Sequence, residues 1–126
     1  MRALENRQLL VVEDEFLLAD PLVRGLEAAG AWVIGPAPTE GRALALLEGT
    51  TPDAAILDIY LRGDRSHAVA NALADRGIPF VFLSGQMARN VPSRFADVPF
   101  FEKPYDIRLL IPALAEICAA HSGTNA

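Results

Sequence analysis

The sequence has few of the features that place a protein outside the cell or in a membrane. Its single cysteine, Cys118, cannot form an internal disulfide, and one thiol is too few for a cysteine-based metal site. No uninterrupted apolar run of about 18 residues, the length of a transmembrane helix, occurs in the chain. The segment from Met1 to Gln8 carries charged side chains and lacks the apolar run of a signal peptide. We therefore expect a cytoplasmic protein with no membrane-bound segment.

Basic residues are also scarce. Eleven Lys and Arg residues stand against sixteen Asp and Glu residues, so the formal net charge is −5 at pH 7. A protein that binds bare nucleic acid usually presents a basic stripe, and this sequence contains no basic cluster and no recognisable DNA-binding motif. The composition therefore disfavours DNA binding.

Short apolar runs alternate with amphipathic segments along the chain, a pattern that predicts five β-then-α units. The predicted strands are residues 9–12, 31–34, 54–57, 80–83 and 100–101. The predicted helices are 16–29, 39–47, 66–76, a short fourth one around 91–96 and a last one that Asp106 caps. Because the strands are apolar on both faces, they predict a parallel sheet that is covered by helices on both sides. The fold class is therefore α/β, doubly wound, in one domain over residues 1–126.

Finer expectations concern particular side chains and the ends of the chain. The helical periodicity places Leu17 among the apolar positions that form one face of the first helix, and Trp32 is expected to pack against other residues. Pro112 lacks a backbone donor and is expected to bend or delay the last helix. The folded core is expected over about residues 8–120, with 121–126 as a frayed tail.

Polar residues follow the predicted strands at their C-terminal ends: Glu13 and Asp14 after the first, Asp58 after the third, Ser84 after the fourth and Lys103 after the fifth. Because these ends share one edge of an open parallel sheet, where ligands bind, the side chains should converge. Crowded carboxylates repel one another, and a hard cation with oxygen ligands, such as Mg²⁺, relieves the repulsion. A carboxylate, a cation, an ammonium and a hydroxyl together suit an anionic phosphoryl group. Asp58, on the middle strand, is the best candidate nucleophile.

Four motifs in this order resemble the receiver domain of bacterial two-component response regulators: Val11-Val12-Glu13-Asp14-Glu15, Leu57-Asp58, Leu83-Ser84-Gly85 and Glu102-Lys103-Pro104-Tyr105. The resemblance covers about residues 8–120. The stretch Asp58-Ile59-Tyr60-Leu61-Arg62-Gly63 is similar to that of a subgroup of stand-alone receivers. It implies a flavodoxin-like five-stranded sheet of order 2-1-3-4-5. It also implies a signalling domain rather than an enzyme with an external substrate, and a sensor histidine kinase or a histidine phosphotransfer protein as the phosphoryl donor.

The resemblance also implies a role for individual acids. Asp58 matches the aspartate that accepts the phosphoryl group and that binds Mg²⁺ together with Asp14. Tyr60 matches the position that gives a backbone carbonyl to the metal. Glu13 matches the neighbouring acid that acts on the metal through water.

The switch residues follow in the same way. Ser84 matches the hydroxyl that binds the phosphoryl group, and Lys103 matches the lysine that pairs with it and precedes a cis proline. Phe100 matches the aromatic residue that changes rotamer with the switch. The chain departs from the family in being short between Asp58 and Lys103, so the fourth helix, around 91–96, is expected to be little more than a turn.

Three other interpretations stay open. A magnesium-dependent phosphohydrolase of the haloacid dehalogenase type also uses an aspartate nucleophile, but it needs a second acid two residues later, where this chain has Tyr60. A degenerate receiver would bind partners without switching. The chain could also be a fragment of a longer regulator.

Overall fold

The computed structural model describes residues 2–61, 64–85 and 91–124, with side chains except at 60, 61, 64, 65 and 121–124. Strands and helices alternate along these residues, as the hydrophobic pattern predicts. In chain order the elements are β1 (Gln8–Val12), α1 (Phe16–Ala28), β2 (Trp32–Ala37), α2 (Glu40–Gly49), β3 (Ala54–Asp58), β4 (Tyr60–Leu61), β5 (Asp64–Arg65), α3 (His67–Asp75), β6 (Phe80–Ser84), a 3-10 turn (Ser93–Phe95), β7 (Phe100–Glu102) and α4 (Ile107–Thr124).

Five strands form one parallel sheet in the order β2-β1-β3-β6-β7. This is the predicted flavodoxin-like order 2-1-3-4-5 once the short strands β4 and β5, which pair only with each other, are set aside. The inner strands β3 and β6 are buried at every position, as expected for apolar runs covered on both faces.

Alternate residues of each strand enter two separate hydrophobic cores. Leu10 and Val12 of β1 pack on the side of α2 and α3, and Leu9 and Val11 pack on the side of α1 and α4. Cys118 of α4 is buried in the second core, as its helical surroundings predict. The doubly wound architecture with helices on both faces is therefore confirmed.

Two predictions about individual side chains are wrong. Leu17 is 84% exposed, because it lies about 200° around the helix axis from Ala19, which is the first buried position of α1. Trp32 is 66% exposed at the start of β2, an edge strand with a neighbour on one side only. β2 also continues through the cis Gly35–Pro36 bond, where the sequence predicted its end.

Both ends of the chain extend beyond the predicted core. Leu4 is fully buried and its amide donates to the carbonyl of Ala29, so packing begins before residue 8. α4 starts directly after Asp106, whose Oδ1 accepts from the Arg108 amide, and it continues through Pro112 without a delay. The backbone of α4 reaches Thr124, past the predicted limit near residue 120. Within the described residues, none of the helices combines the length and the apolar composition needed to cross a membrane.

The predicted fourth helix is a 3-10 turn, as the short spacing suggests, although residues 86–90 of this irregular stretch lie outside the described residues. Phe95 in the turn packs edge-to-face on Phe80 and Phe82, with ring centroids 5.8 and 6.0 Å away. Arg94 donates to Asn71 Oδ1 at 2.9 Å and to Asp75 Oδ1 at 2.6 Å. The turn is therefore anchored to the core and to α3.

The anchoring of this turn can be measured as stability. We expect Phe95→Ala to lower the free energy of unfolding by about 3 kcal/mol, because the ring is 3% exposed and its removal leaves a cavity. Phe100→Ala is the matched control and should cost about 1 kcal/mol, since this ring is 38% exposed. Urea unfolding of both variants gives the comparison, and equal losses would contradict the anchoring of the turn by Phe95.

Candidate functional site

The predicted polar residues meet at the C-terminal edge of the sheet. Glu13 directly follows β1, and its amide donates to Ala37 at the end of β2. Asp58 and Ser84 are the last residues of β3 and β6. Lys103 follows β7, and its amide donates to the Ser84 carbonyl at 2.7 Å. The strand ladders thus position residues that lie as far as 90 positions apart in the chain.

Lys103 is the central cation of this edge. Its Nζ donates to Asp58 Oδ2 at 2.8 Å and to the two carboxylate oxygens of Glu13 at 2.9 and 3.1 Å. A longer contact of 3.4 Å reaches Glu15 Oε1. The Lys103 side chain is 9% exposed, so these contacts form largely away from water.

Four carboxylates form the acidic cluster, in which each offers an oxygen within 4.8 Å of the others: Glu13, Asp14, Glu15 and Asp58. Glu13 and Asp58 are buried, Asp14 is half-buried and Glu15 is exposed. An all-oxygen donor set of this charge fits a hard divalent cation such as Mg²⁺. The sequence analysis did not assign Glu15 to the site, although the run Glu13-Asp14-Glu15 contains it.

Burial and repulsion perturb the groups in the cluster. Burial, together with the neighbouring Asp58 carboxyl, raises the pKa of Glu13 well above its ordinary value, and Lys103 opposes this shift. Burial lowers the pKa of Lys103, but the hydrogen bonds and charges of Asp58 and Glu13 outweigh it and raise the pKa overall. Burial, and then the charge of Glu13, also raises the pKa of Tyr105. The site therefore holds a firmly protonated lysine among crowded acids.

Hydrogen bonds fix the main chain at Asp58 in addition to its side chain. The buried hydroxyl of Ser66 donates to the Asp58 carbonyl at 2.6 Å, and the Ile59 amide donates to the Leu83 carbonyl at 3.0 Å. Ser66 was not predicted as a site residue, since the sequence placed it only at the start of the third helix, 66–76. On the other side of the site, the Lys103–Pro104 bond is cis, as predicted.

Comparisons with known proteins agree with this fold. SdrG from Sphingomonas melonis Fr1 is 45% identical, with a TM-score of 0.78 over 93% of this chain and 98% of SdrG. The response regulator PhyR from Brucella abortus is 25% identical, with a TM-score of 0.80 over 95% of this chain and 51% of PhyR. The transcriptional regulatory protein PdtaR of Mycobacterium tuberculosis is 31% identical over 112 residues, 86% of this chain and 55% of PdtaR. No protein-family model matches.

The chain belongs to the response-regulator receiver family. This receiver spans about half the length of PdtaR and PhyR and nearly all of SdrG. A second solved structure, described as the BeF3-activated conformation of SdrG, is also 45% identical, with a TM-score of 0.74. The receiver family consists of signalling domains.

For two predicted site residues, the structure gives the position on a strand but does not test the predicted role. Tyr60 begins β4, two residues after Asp58, and its side chain is outside the described part. Phe100 lies on β7 in register with Phe82, and its ring is partly exposed. The metal role of the Tyr60 carbonyl and the rotamer change of Phe100 stay predictions.

A groove of about 580 Å³ lies next to Lys103, between α1 and the segment that leads into α4. Leu18 and Pro21 line it from α1, and Tyr105 and Ile107 line it from the opposite wall. The receiver thus has an apolar surface directly beside its most charged site.

Removing the central lysine should destabilise the domain. In Lys103→Met the buried carboxylates of Glu13 and Asp58 lose their cation, and breaking a buried pair on one side typically costs about 3 kcal/mol. We expect a loss of that size in urea unfolding without magnesium. The double variant Lys103→Met/Glu13→Gln should regain part of it, because one uncompensated charge is removed. An unchanged stability in Lys103→Met would contradict this account.

Proposed function

We propose that this receiver domain accepts a phosphoryl group on Asp58, in the presence of Mg²⁺, from the phosphohistidine of a sensor histidine kinase or a histidine phosphotransfer protein. The observation that carries the proposal is the 2.8 Å contact between Lys103 Nζ and Asp58 Oδ2 inside a cluster of four carboxylates. A buried lysine on the acceptor carboxylate is well suited to bind the charge that a phosphoryl group brings.

The transfer is a simple displacement at phosphorus. A carboxylate oxygen of Asp58 forms the new bond, and the bond from phosphorus to the donor imidazole nitrogen breaks, with its electron pair left on that nitrogen. The Lys103 ammonium pairs with the phosphoryl oxygens, and the Ser84 hydroxyl donates a hydrogen bond to one of them. Phe100 then changes rotamer and carries the change to a protein-interaction surface. The product is an acyl phosphate on this protein, and the donor protein leaves with a free histidine. No small-molecule substrate is turned over.

The residues that would hold the metal are those of the acidic cluster and its main chain. Asp14 and Asp58 would bind Mg²⁺ directly, Tyr60 would give its backbone carbonyl, and Glu13 would act through water. When bound, the ion supplies positive charge that offsets the repulsion between the acceptor carboxylate and an incoming phosphoryl group. The close oxygen atoms of the cluster support this role, because four carboxylates around one lysine leave an excess of negative charge at the site.

The surroundings of the site support a protein as the phosphoryl donor. Phe16 and Leu17 are 79% and 84% exposed at the start of α1, directly after the acidic cluster, and the apolar groove lies beside Lys103. Together they offer a contact surface for the helices of a phosphohistidine protein. SdrG has been solved in a BeF3-activated conformation, and trifluoroberyllate resembles a phosphoryl group in shape and charge, which supports the same chemistry here.

Turnover of an external phosphate ester is not expected. A haloacid dehalogenase-type enzyme needs an acid two residues after its nucleophile, and this chain has Tyr60 there. We propose a single signalling domain over residues 1–126, acting through protein contacts and without DNA binding. Because the chain spans 55% of PdtaR and 51% of PhyR, a role within a longer regulator is the second candidate.

The first experiment is intact-mass analysis after incubation with acetyl phosphate, with and without magnesium. We expect one phosphoryl adduct that requires magnesium and that disappears in Asp58→Asn. Asp97→Asn is the matched control, since Asp97 is exposed outside the cluster and should label like wild type.

Each other result has a distinct meaning. Labelling that persists in Asp58→Asn would reject Asp58 as the acceptor. If no adduct forms with acetyl phosphate and magnesium, and none forms with a histidine kinase as the donor, the result would favour the degenerate binding module. Repeated hydrolysis of a phosphomonoester would favour the phosphohydrolase.

Metal binding can be measured without any phosphodonor. We expect Asp14→Asn to weaken the magnesium affinity in isothermal titration calorimetry by tenfold or more, because it removes one of the direct carboxylate ligands; losses of roughly 10–100-fold are typical even for supporting residues. Glu27→Gln removes an equal charge from the exposed far end of α1 and should leave the affinity unchanged. Equal losses in the two variants would indicate nonspecific attraction to an acidic protein.

A further inference from the structure

Ser66 occupies the position of a helix cap without acting as one. It immediately precedes α3, where a serine hydroxyl usually accepts a hydrogen bond from an amide of the first helical turn. The Ser66 side chain makes no such bond. It is fully buried, and its hydroxyl donates instead to the main-chain carbonyl of Asp58 at 2.6 Å.

A residue of another helix takes over the capping of α3. Glu40, the first residue of α2, accepts the Ala68 amide at 3.0 Å and the Val69 amide at 3.3 Å on its Oε2 atom. These are the amides that a capping serine would bind, and a carboxylate there is also favoured by the helix dipole. Because Glu40 satisfies them, the Ser66 hydroxyl is available for Asp58.

Ser66 also closes the loop between the acceptor and α3. Its amide donates to the Ile59 carbonyl at 2.8 Å, and inside this closure β4 pairs with β5 through Tyr60 and Arg65. The two bonds of Ser66 therefore hold the two peptide groups on either side of Ile59, which link Asp58 to Tyr60. The direction of the chain at this point determines where the Tyr60 carbonyl lies relative to the Asp58 carboxylate.

We propose that Ser66 is a positioning residue for the phosphoacceptor site, and that Glu40 keeps its hydroxyl in this role by capping α3 in its place. This inference rests on the proposed function of Asp58. Ser66 does not touch the phosphoryl group; it acts through the backbone that orients the acceptor carboxylate and the Tyr60 carbonyl. Supporting residues of this kind typically change metal affinity or activity when they are removed.

The test compares three variants in the full chain: Ser66→Ala, Ser66→Thr, which keeps the hydroxyl, and Val69→Ala, which truncates a buried residue of α3. The measurements are the rate constant of phosphorylation by acetyl phosphate at saturating magnesium, the magnesium dissociation constant and the melting temperature. In the measured step, a carboxylate oxygen of Asp58 bonds to phosphorus and acetate leaves with the electron pair of the broken bond.

We expect Ser66→Ala to lower the rate constant roughly tenfold and to weaken magnesium binding several-fold, in line with the removal of other supporting residues. Ser66→Thr should retain most of both, and Val69→Ala should lower only the melting temperature. A Ser66→Ala variant that melts earlier but is labelled and binds magnesium like wild type would overturn the proposal, since its role would then be structural alone.

Glu40→Ala tests whether Glu40 keeps the Ser66 hydroxyl on Asp58. It leaves the buried serine itself unsubstituted. Without the carboxylate, the amides of Ala68 and Val69 lack their acceptor, and the Ser66 hydroxyl is expected to turn toward them. The phosphorylation rate should then fall by a factor similar to that of Ser66→Ala, and the double variant should be no slower than Ser66→Ala. Independent, multiplying effects would show that Glu40 does not act through Ser66.

The outcomes separate this proposal from the function on which it rests. A wild-type chain that takes up no phosphoryl group overturns the proposed function, and the positioning role of Ser66 fails with it. A wild-type chain that is labelled on Asp58, with Ser66→Ala and Glu40→Ala labelled at the same rate, leaves the function intact and overturns Ser66 alone.

Discussion

The structure depends on one buried ammonium group. Ionised side chains are costly to bury unless they are paired, and Lys103 pairs Asp58 and Glu13 at 2.8 and 2.9 Å in a part of the protein that water barely reaches. The contact requires the C-terminal ends of β1, β3 and β7 to meet at the same edge of the sheet, which the parallel order provides, with β6 between β3 and β7. The sheet therefore holds like charges at close range, and this arrangement favours a divalent cation and an incoming anion at the same point.

The two helical layers beside this edge of the sheet differ in how far their elements are linked by side-chain hydrogen bonds. On the side of α1 and α4, apolar residues are exposed at the start of α1 and an apolar groove lies at the surface beside Lys103. On the side of α2 and α3, side chains tie the elements to one another: Arg76 donates to the carbonyls of Leu47 and Thr50 at the end of α2, and Arg94 joins the 3-10 turn to α3. One layer is therefore open for contact, while the other is bound together as a unit.

What the sequence predicted and what it missed have physical reasons. The convergence of Glu13, Asp58, Ser84 and Lys103 follows from apolar runs that each end on a polar residue, a local pattern, whereas the strand order was implied by the resemblance to receiver domains. The exposure of Trp32 was missed because the expectation rested on residue type alone, although the order 2-1-3-4-5 leaves the second strand with a neighbour on one side only. Ser66 and the capping of α3 by Glu40 join residues 8 and 28 positions apart through single side-chain-to-backbone bonds, and such bonds leave no periodic signal. The short pair β4–β5 is likewise too brief for a pattern.

Two routes lead away from the acceptor residue, and they differ in kind. The first runs through the backbone, from the Ile59 amide to Leu83 and from the Ser84 carbonyl to the Lys103 amide, next to β7 and Phe100. Among the described residues, the amide in each of these backbone hydrogen bonds has one acceptor. The bonds therefore fix the relative positions of the strands, and the amides have no second set of partners there. The second runs through the side chains of Ser66 and Glu40, and there the serine has an alternative set of partners in the amides of α3. Switching requires an element with two satisfied arrangements. Glu40 occupies those amides in this structure, so a change of state on the route through Ser66 requires Glu40 to release them, and a change on the strand route toward Phe100 requires the rotation of a side chain.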